Sequence, residues 1–393
     1  MILNWFFSKT VREAVAMRKH VWKLLSAQRD ILSPPAIGAV TLAMNELQAA
    51  ISESANKGRI RIKMEELEFA ANKWLKPYPH PAWRENVEVL LVALAVAMGI
   101  RTFFAQPFKI PTGSMQPTLW GVTSDPDFSQ TGPPPPGKRL PAFQVPTGLA
   151  RLRDWFDGAS YVELKAKTDG ALEEIAPPTR FLIFNINQRL RIGDVWHTIW
   201  FPPDYGGRTL QERAGLRLGE VFHRGDDVVK MRVTSGDHLF VDRLTYNFRR
   251  PRRGEIIVFE TKGIHDPLNR VPPDQFYIKR LVALGDEKVQ IGSDHHLIIN
   301  GARLDASTPG FGGVYSFKMN AGENQYFGHL QLGMFRDDNS EYTVPPENVL
   351  VMGDNTRNSL DSRFFGGFAE KYVIGKSWFV YWPISSRFGW GYE

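Results

Sequence analysis

A serine at position 114 has the surroundings of a possible nucleophile. Ser114 follows Gly113 and lies three residues from a proline on either side, Pro111 and Pro117. Prolines fix the backbone on both sides, and this framing favours a rigid segment that exposes the hydroxyl. A serine hydroxyl attacks a carbonyl only when a base activates it, so the motif on its own fits a structural turn better than a nucleophile.

The best candidate for that base is a lysine in an apolar segment. Lys279 lies within residues 276–284, the most apolar run in the strand-like part of the chain. Burial disfavours the charged amine, so the pKa of such a lysine falls and the neutral amine can accept a proton near pH 7. A lysine at a strand edge, with its amine in solvent, is the structural alternative.

A polar segment near the C-terminus is the third candidate element. Residues 352–363 read MGDNTRNSLDSR and place Asp361 two residues before Arg363. Taken alone, this composition is typical of a loop rich in turns.

Several other kinds of active site are absent from the sequence. The chain has no cysteine, which excludes a thiol nucleophile, an iron–sulfur cluster, a cysteine zinc site and disulfides. Residues 132–138 have the spacing of a phosphate-binding loop, but four prolines lack the N–H donors that phosphate requires. The pair His295 and His296 lacks a third ligand at useful spacing. We therefore predict no metal and no cofactor.

The 393 residues carry a net charge of +6, and the excess lies near the N-terminus. Residues 1–86 contain 13 basic and 8 acidic side chains, whereas the rest of the chain is almost balanced. A nucleic-acid-binding protein carries its basic surface on the folded part, so we expect no nucleic-acid partner. A basic segment directly before an apolar run favours a membrane surface instead.

The apolar run at residues 89–100 contains no charged side chain. With its flanks it is long enough for the ~20 residues that a membrane-spanning helix needs. We predict a single transmembrane helix over residues 83–106, with a buried helix of a soluble core as the alternative. A run that begins this far into the chain is not typical of a cleaved signal peptide.

Residues 1–82 are predicted to form a helical cytoplasmic region. Residues 1–25 mix basic side chains with apolar ones, which fits a basic amphipathic helix on an anionic leaflet or, alternatively, two packed helices. Its aromatic members are Trp5, Phe6, Phe7 and Trp22. A second helix is predicted over residues 36–75. Three prolines then predict a stiff linker before the apolar run: Pro77, Pro79 and Pro81.

After the apolar run, the chain changes to short segments rich in β-branched and aromatic residues, separated by Gly, Pro and Asp. This pattern predicts a mainly β body. The expected strands are residues 238–244, 255–260, 276–284, 289–300, 349–353 and 372–382.

Residues 121–230 stand apart from this body and are interpreted as an insertion. They include a proline-rich stretch at 132–137, predicted to be a surface loop, and strand-like runs at 161–165, 181–186 and 195–201. Because the insertion begins next to Ser114, one hypothesis is that it shapes access to a cleft there. The alternative is a decoration that rests on the membrane or on the β body.

Together these pieces resemble the bacterial type I signal peptidases, membrane-bound proteases of the S26 family that use a serine and a lysine. Four blocks match in order: residues 101–119, 235–244 with 252–259, 277–289, and 352–366. The domain-sized insertion departs from the family pattern, as does the single span in place of the two-helix anchor of the best-known members.

The resemblance implies a role for each matching residue. Ser114 would be the nucleophile and Lys279 the general base. The Thr112 hydroxyl and the Ser114 backbone N–H would form the oxyanion hole, and Ser359 would orient the lysine amine.

Further residues of the matching blocks are expected to support the site or to bind substrate. Asp361 and Arg363 match a structural ion pair, and the same block contributes Gly353, Asp354 and Asn355 near the site. Eight residues match positions that form shallow pockets for small side chains at −1 and −3 of the cleavage site: Phe108, Ile110, Met115, Leu119, Leu239, Val258, Tyr277 and Ile278.

The resemblance also implies an organisation and an activity. The expected fold is a mainly β catalytic domain of the signal-peptidase and repressor type, formed by residues 107–120 and 231–393. The expected activity is removal of signal peptides from exported preproteins after Ala-X-Ala-type sites, without a cofactor. Its partners would be preprotein signal peptides, the lipid bilayer and the secretion translocon. The location would be the bacterial cytoplasmic membrane, with the N-terminus in the cytoplasm and the catalytic domain outside.

Two alternatives compete with this interpretation. Self-cleaving repressor and mutagenesis proteins use the same Ser/Lys pair, but they have no membrane run. A catalytically inactive, membrane-anchored β protein is the other alternative. The joint presence of Ser114, Lys279, Thr112 and Ser359 argues against it.

Overall fold

A computed structural model describes residues 8–53, 56–76, 81–131, 144–182, 184–316 and 326–390. Some predictions fall on residues outside these ranges. These are the first aromatic residues of the N-terminal helix (Trp5, Phe6 and Phe7), two linker prolines (Pro77 and Pro79) and the proline-rich stretch at 132–137.

The chain divides into two units, which we call the helical unit (Met1–Leu94) and the β-rich unit (Ala95–Glu393). The helices are α1 (Lys9–Gln28), α2 (Pro34–Ser52), α3 (Lys57–Trp74), α4 (Pro81–Phe103), α5 (Phe128–Thr131), α6 (Gly148–Phe156), α7 (Leu210–Ala214), α8 (Gly312–Tyr315) and α9 (Ser362–Phe365). Helix α4 crosses the boundary between the units.

Helices α1, α2 and α3 pack around one apolar core in the helical unit. The apolar side of α1 contributes Val11, Val21 and Leu25 to this core, so in the described part the packed-helix alternative holds rather than a helix lying free on a leaflet. The prediction of one helix over 36–75 is wrong. The chain forms two helices there, because the Asn56 side chain caps a new helix by accepting a hydrogen bond from the Arg59 N–H at 2.8 Å.

Helix α4 contains the predicted membrane span. An 18-residue window within Trp83–Phe103 has a mean hydropathy of 1.7, and none of its residues is buried. The helix ends at Phe103, three residues before the predicted limit of the span. Ala105 and Gln106 belong to the first strand instead, where they pair with Asp242 and Val241.

In the part of the chain that the structure describes, twenty strands follow the apolar helix. They are β1 (Ala105–Lys109), β2 (Thr123–Asp125), β3 (Ala159–Lys165), β4 (Gly170–Ile175), β5 (Thr179–Phe181), β6 (Phe184–Ile192), β7 (Val195–Trp200), β8 (Val221–Phe222), β9 (Asp227–Thr234), β10 (His238–Asp242), β11 (Ile256–Glu260), β12 (Phe276–Leu284), β13 (Lys288–Ile291), β14 (Leu297–Ile299), β15 (Ala302–Arg303), β16 (Tyr342–Thr343), β17 (Asn348–Met352), β18 (Phe368–Ala369), β19 (Val373–Trp382) and β20 (Gly389–Trp390).

The largest sheet has eight antiparallel strands and carries the serine and lysine segments. Its order is β1-β10-β19-β11-β12-β17-β18, with β20 paired to β19. Strand β1 is at one end of this order. The first half of β12 pairs only with β11, because β17 joins β12 from Arg280 onward. Within the described residues, β1 and the start of β12 therefore each have an unpaired edge.

Two predicted strands are interrupted by turns. Residues 289–300 form the hairpin β13–β14, in which His295 has a left-handed φ of 65° at the turn. The run at 181–186 is divided between β5 and β6, with Leu182 left-handed at φ 53°. These two predictions are therefore wrong in detail, and Gly292 and Asp294 marked the first of the two turns in the sequence.

The insertion folds into two sheets with a shared apolar core. One sheet has the order β2-β9-β3, and the other contains β4, β5, β6, β7 and β8. Strand β9 continues to Thr234, four residues beyond the predicted end of the insertion, because Thr234 pairs with both Thr123 and Ala159. The β-rich unit thus confirms a mainly β fold after the N-terminal helices and the apolar helix.

Candidate active site

Ser114 and Lys279 are 165 residues apart in the sequence but adjacent in space. Ser114 lies in the turn that follows β1, and Lys279 lies in the middle of β12. The Ser114 Oγ and the Lys279 Nζ are 2.7 Å apart, within hydrogen-bond distance. This arrangement allows a neutral amine to take the hydroxyl proton directly.

The Lys279 side chain is buried, with only 4% of the residue exposed. Burial lowers the pKa of Lys279 to about 8, although the negative charges of Asp361 and Asp354 act in the opposite direction. The amine also donates a hydrogen bond to the Ile278 carbonyl at 3.0 Å and lies 5.3 Å from the centre of the Tyr277 ring. Desolvation therefore gives the lysine a substantial neutral fraction near neutral pH.

The loop after β17 holds the backbone around the serine. The Asn355 N–H donates to the Ser114 carbonyl at 3.0 Å, and the Asn355 side chain donates to the Gly113 carbonyl at 2.9 Å. Gly353 is required for this approach: a Cβ at that position would lie 2.5 Å from the Ser114 carbonyl oxygen and 2.2 Å from Ser359 Oγ. Two residues of the polar segment thus fix the serine turn against β17.

The predicted ion pair between Asp361 and Arg363 is present and fully buried. Arg363 donates to Asp361 from Nη2 at 2.8 Å and from Nε at 2.9 Å, and the Gly353 N–H donates to the same carboxylate at 3.0 Å. Burial raises the pKa of Asp361, but the charge and hydrogen bonds of Arg363 outweigh it, so the net pKa lies below the usual range. The carboxylate stays ionised behind the site.

A second buried ion pair was not predicted. Asp354 is paired with Arg280, the residue after the candidate base, by Nε at 2.9 Å and Nη2 at 2.7 Å. Arg280 also donates to the Gly254 and Gly310 carbonyls. The sequence contained a signal for this ion pair. Adjacent residues of a strand point to opposite faces, so Arg280 lies on the face opposite to Lys279. An arginine in a buried strand needs an acidic partner.

The roles predicted for Ser359 and Thr112 are not tested by the structure, in contrast to the predicted proximity of Ser114 and Lys279. Ser359 is buried beside Gly353, and its Oγ makes no hydrogen bond to the Lys279 amine. Its orienting role stays a prediction. Thr112 is exposed and lines the cavity beside Ser114, where its hydroxyl is free to face a bound carbonyl group. This position is compatible with the oxyanion role but does not test it.

We expect Thr112→Val to lower kcat/KM by about 10²–10³-fold, because one donor to the developing oxyanion is lost. Thr112→Ser keeps the hydroxyl and should retain most of the activity. The comparison uses steady-state kinetics on one peptide substrate at a fixed pH. Equal rates for the valine and serine variants would remove Thr112 from the oxyanion hole.

A cavity of about 950 Å³ opens at the candidate dyad. Its walls include Ser114 and Lys279 together with Tyr277, Ile278 and the preceding Phe276 of β12. Phe276 was not predicted as a site residue. Its ring meets Phe108 of β1 edge-to-face, with ring centres 5.4 Å apart, so the two unpaired strand edges approach each other beside the cavity.

Most of the eight predicted pocket residues form one apolar cluster. Seven of them lie in it together: Phe108, Ile110, Met115, Leu119, Leu239, Val258 and Ile278. Tyr277 belongs to a neighbouring cluster on the other face of β12. Of the eight, only Tyr277 and Ile278 line the cavity as described. Their assignment to substrate pockets therefore stays a prediction.

The insertion forms part of the cavity wall, through Thr123, Ser124, Asp127, Gly206 and Arg208 among others. Gly206 packs so closely on the serine segment that a Cβ would lie 2.5 Å from the Pro111 carbonyl oxygen.

Arg213 connects several segments of this part of the cavity wall. It is buried, is ion-paired with Asp127, and donates to the Tyr205 carbonyl at 3.0 Å and to the Val122 carbonyl at 2.9 Å. All three partners lie within residues 121–230, so Arg213 stabilises the insertion's own part of the cavity wall.

The sequence matches the family described as "Signal peptidase, peptidase S26" over residues 83–123 and 222–382. The two ranges cover just over half of the chain and leave out most of the insertion. The chain belongs to this family. Ser114, Lys279 and the cluster of candidate pocket residues all lie inside the two ranges of this chain that match the S26 family.

Known relatives agree with this assignment. The chain is 29% identical to signal peptidase I of Leptolyngbya laminosa over 151 residues, covering 38% of this chain and 62% of that protein. It is 30% identical to signal peptidase I of Bacillus caldolyticus over 152 residues, covering 39% of this chain and 73% of that protein. The match thus spans less than two thirds of the Leptolyngbya protein.

A solved signal peptidase I from Enterococcus faecalis is similar at 29% identity. The match covers 33% of this chain and 97% of that one, with a TM-score of 0.24.

Proposed function

We propose that the chain is a signal peptidase I, which cuts signal peptides from exported preproteins after small residues. The single observation that carries the proposal is the 2.7 Å contact between Ser114 Oγ and a buried Lys279 Nζ at an open cavity. Membership of the S26 family and the names of the relatives support the same activity.

The geometry supports an acyl-transfer mechanism. Neutral Lys279 accepts the proton of Ser114 as Oγ attacks the carbonyl carbon of the scissile bond. The oxyanion is stabilised by the Ser114 N–H and the Thr112 hydroxyl. Lys279 then returns the proton to the leaving amine as the C–N bond breaks. A water molecule, deprotonated by the same amine, attacks the ester and releases the acyl group from Ser114.

The two unpaired strand edges suggest how a substrate binds. An extended peptide can add as a strand between β1 and the start of β12, with main-chain hydrogen bonds to both edges. Its side chains would point alternately to the two sides of the strand. Ile278 belongs both to the cavity wall and to the apolar cluster, and the small side chains at −1 and −3 would lie against it.

The proposed location is the bacterial cytoplasmic membrane, with α4 as a single span and the translocon as a neighbour that delivers preproteins. The basic excess in residues 1–86 supports a cytoplasmic N-terminus.

The topology can be tested with single-cysteine variants, because the native chain has no cysteine. In spheroplasts, a membrane-impermeant maleimide should label Arg224→Cys, in the β-rich unit, without lysis. Lys23→Cys, in α1, should be labelled only after lysis. The reverse pattern would overturn the orientation.

The activity is tested by incubating the full chain, purified in detergent, with a preprotein that carries an Ala-X-Ala site. We expect one cut after the second alanine, identified by mass spectrometry of both products. Ser114→Ala should abolish the cut, because the nucleophile is gone. Ser307→Ala, an exposed serine far from the candidate dyad in sequence, serves as the matched control and should cut normally.

Two results would contradict the proposal. One is preprotein cleavage that survives in Ser114→Ala. The other is cleavage of the chain's own backbone in place of the preprotein, which would favour the self-cleaving class.

A further inference from the structure

Helix α6, in the insertion, exposes an apolar stripe. None of its nine residues is buried, and Leu149 is 84% exposed. Leu149, Leu152 and Phe156 lie at i, i+3 and i+7 and so share one face of the helix. Two arginines, Arg151 and Arg153, stand between them in the sequence. The helix therefore buries only a small part of its apolar surface against its own protein.

A second apolar group, which we call the aromatic tip, lies where β5, β6 and β7 end. Its members are 62–81% exposed: Phe181, Leu182, Phe184, Trp200 and Phe201. Leu182 and Phe201 are held in left-handed conformations, with φ of 53° and 48°, which non-glycine residues adopt only at a cost. The fold thus keeps large apolar side chains outside although the backbone is strained.

The two groups converge near the end of β1. Trp155 of α6 packs against Trp382, with ring centres 4.8 Å apart, and both line a small groove together with Lys109 and Pro203. The aromatic tip is connected to the same groove through Asn185, whose side chain donates to the Pro202 carbonyl at 3.1 Å.

A salt bridge of 2.8 Å between Lys109 and Asp204 joins this part of the insertion to β1. Lys109 is six residues after the end of the apolar helix α4, and six residues reach at most about 20 Å.

We propose that α6 and the aromatic tip lie in the headgroup region of an anionic bilayer and attach the β-rich unit to the membrane a second time. The inference rests on the proposed membrane function and extends it to a named surface of the insertion. Leucine and phenylalanine on one side with arginines beside them are typical of interfacial helices. Arg151, Arg153 and the exposed Arg180 beside the tip would meet anionic headgroups.

This attachment has a functional consequence. A single helix leaves the unit that follows it free to rotate about the exit point. A second contact through the insertion removes that freedom and holds the cavity, whose wall the insertion also forms, at a constant height and orientation. A preprotein still held in the bilayer would then meet the strand edges in one geometry.

The test uses the full chain in vesicles of phosphatidylethanolamine and phosphatidylglycerol at a 3:1 ratio. Single-cysteine variants Leu152→Cys and Leu182→Cys carry a nitroxide spin label, and Arg224→Cys, also exposed in the insertion, is the matched control. Collisions with oxygen, which concentrates in hydrocarbon, are compared with collisions with a water-soluble nickel chelate. We expect the oxygen-to-nickel ratio at positions 152 and 182 to exceed that at 224 several-fold.

Two outcomes would overturn the inference. Labels at 152 and 182 that behave like the control would show that water covers this surface. Labels that become shielded from both reagents would show that a protein, such as a second copy of the chain, covers it instead. The readout needs no proteolysis, so a failure here and a failure of the preprotein assay are separate results.

A second experiment tests the consequence for catalysis. The double variant Leu152→Asp/Phe156→Asp should raise KM for a vesicle-bound preprotein several-fold while cleavage of a short soluble peptide is unchanged. Equal effects on both substrates would indicate damage to the fold and contradict a role at the membrane.

Discussion

Lys279→Arg is expected to lower kcat/KM for preprotein cleavage by about 10²–10⁴-fold, the usual contribution of a general base. Arginine keeps the positive charge and much of the length of lysine, but its guanidinium stays protonated and cannot accept the Ser114 proton. The loss therefore reports on proton transfer rather than on charge. The rate is measured with the full chain in detergent, at saturating and at limiting substrate.

The same residue predicts the pH profile. Because burial lowers the pKa of Lys279 to about 8, the neutral fraction of the amine rises with pH up to that value. Wild-type kcat/KM should therefore fall about tenfold for each unit of pH below 7 and level off above about 8. A flat profile between pH 6 and 8 would contradict a lysine base.

Two further variants control for folding. Lys279→Met fills a similar volume without a charge and should be as inactive as Lys279→Arg, which excludes a simple effect of burying arginine. Lys262→Arg changes an exposed lysine and should behave as wild type. Near-normal cleavage by a folded Lys279→Arg protein would refute the mechanism.

Arg280→Met should destabilise the β-rich unit by about 3–5 kcal/mol, because it leaves the Asp354 carboxylate buried without its partner. Both side chains are almost completely inaccessible, at 1% and 0% exposure. The free energy of unfolding is measured by urea denaturation of the full chain in detergent. Activity should fall as well, since Asp354 precedes the Asn355 that holds the Ser114 backbone.

A double variant and a variant at a solvent-exposed ion pair serve as controls for this prediction. Arg280→Met combined with Asp354→Leu removes both charges and should recover much of the lost stability. Arg303→Met breaks an ion pair with Asp294 that is about half exposed on both sides, and should cost less than about 1 kcal/mol. If Arg280→Met cost no more than Arg303→Met, the buried pair would not stabilise the fold.

The parts of this site that could be predicted are those whose residue types are unusual for their surroundings. Lys279 stands out as a charge in an apolar strand, and Ser114 stands out between prolines. Strand β12, which carries Lys279, was predicted to within a few residues, as were β10 and β19 of the same sheet, because these strands alternate or are strongly apolar. The resemblance to a family then supplied roles that no local pattern encodes.

The parts that could not be predicted depend on contacts between distant segments. The partner of Asp354 is a residue 74 positions away, and only the pairing of β12 with β17 brings them together. The place of residues 121–230 in the cavity wall depends on the close approach of Gly206 to Pro111, which no local sequence pattern shows. Helix α3 begins at Lys57 because the Asn56 side chain caps it. This cap is difficult to recognise in a sequence whose helical pattern continues on both sides.

The candidate base, Lys279, and the buried Arg280 are successive residues of β12, so an error in the pairing of this strand displaces both. A slip of one residue in the pairing of β12 would turn Arg280 into the cavity and press Lys279 against the cluster that holds Asp354. The mispaired chain would lose the salt bridge and the proton acceptor in one step. A mispaired copy of the chain would therefore lack the proposed activity, because the base and the arginine of the buried salt bridge are adjacent residues of one strand.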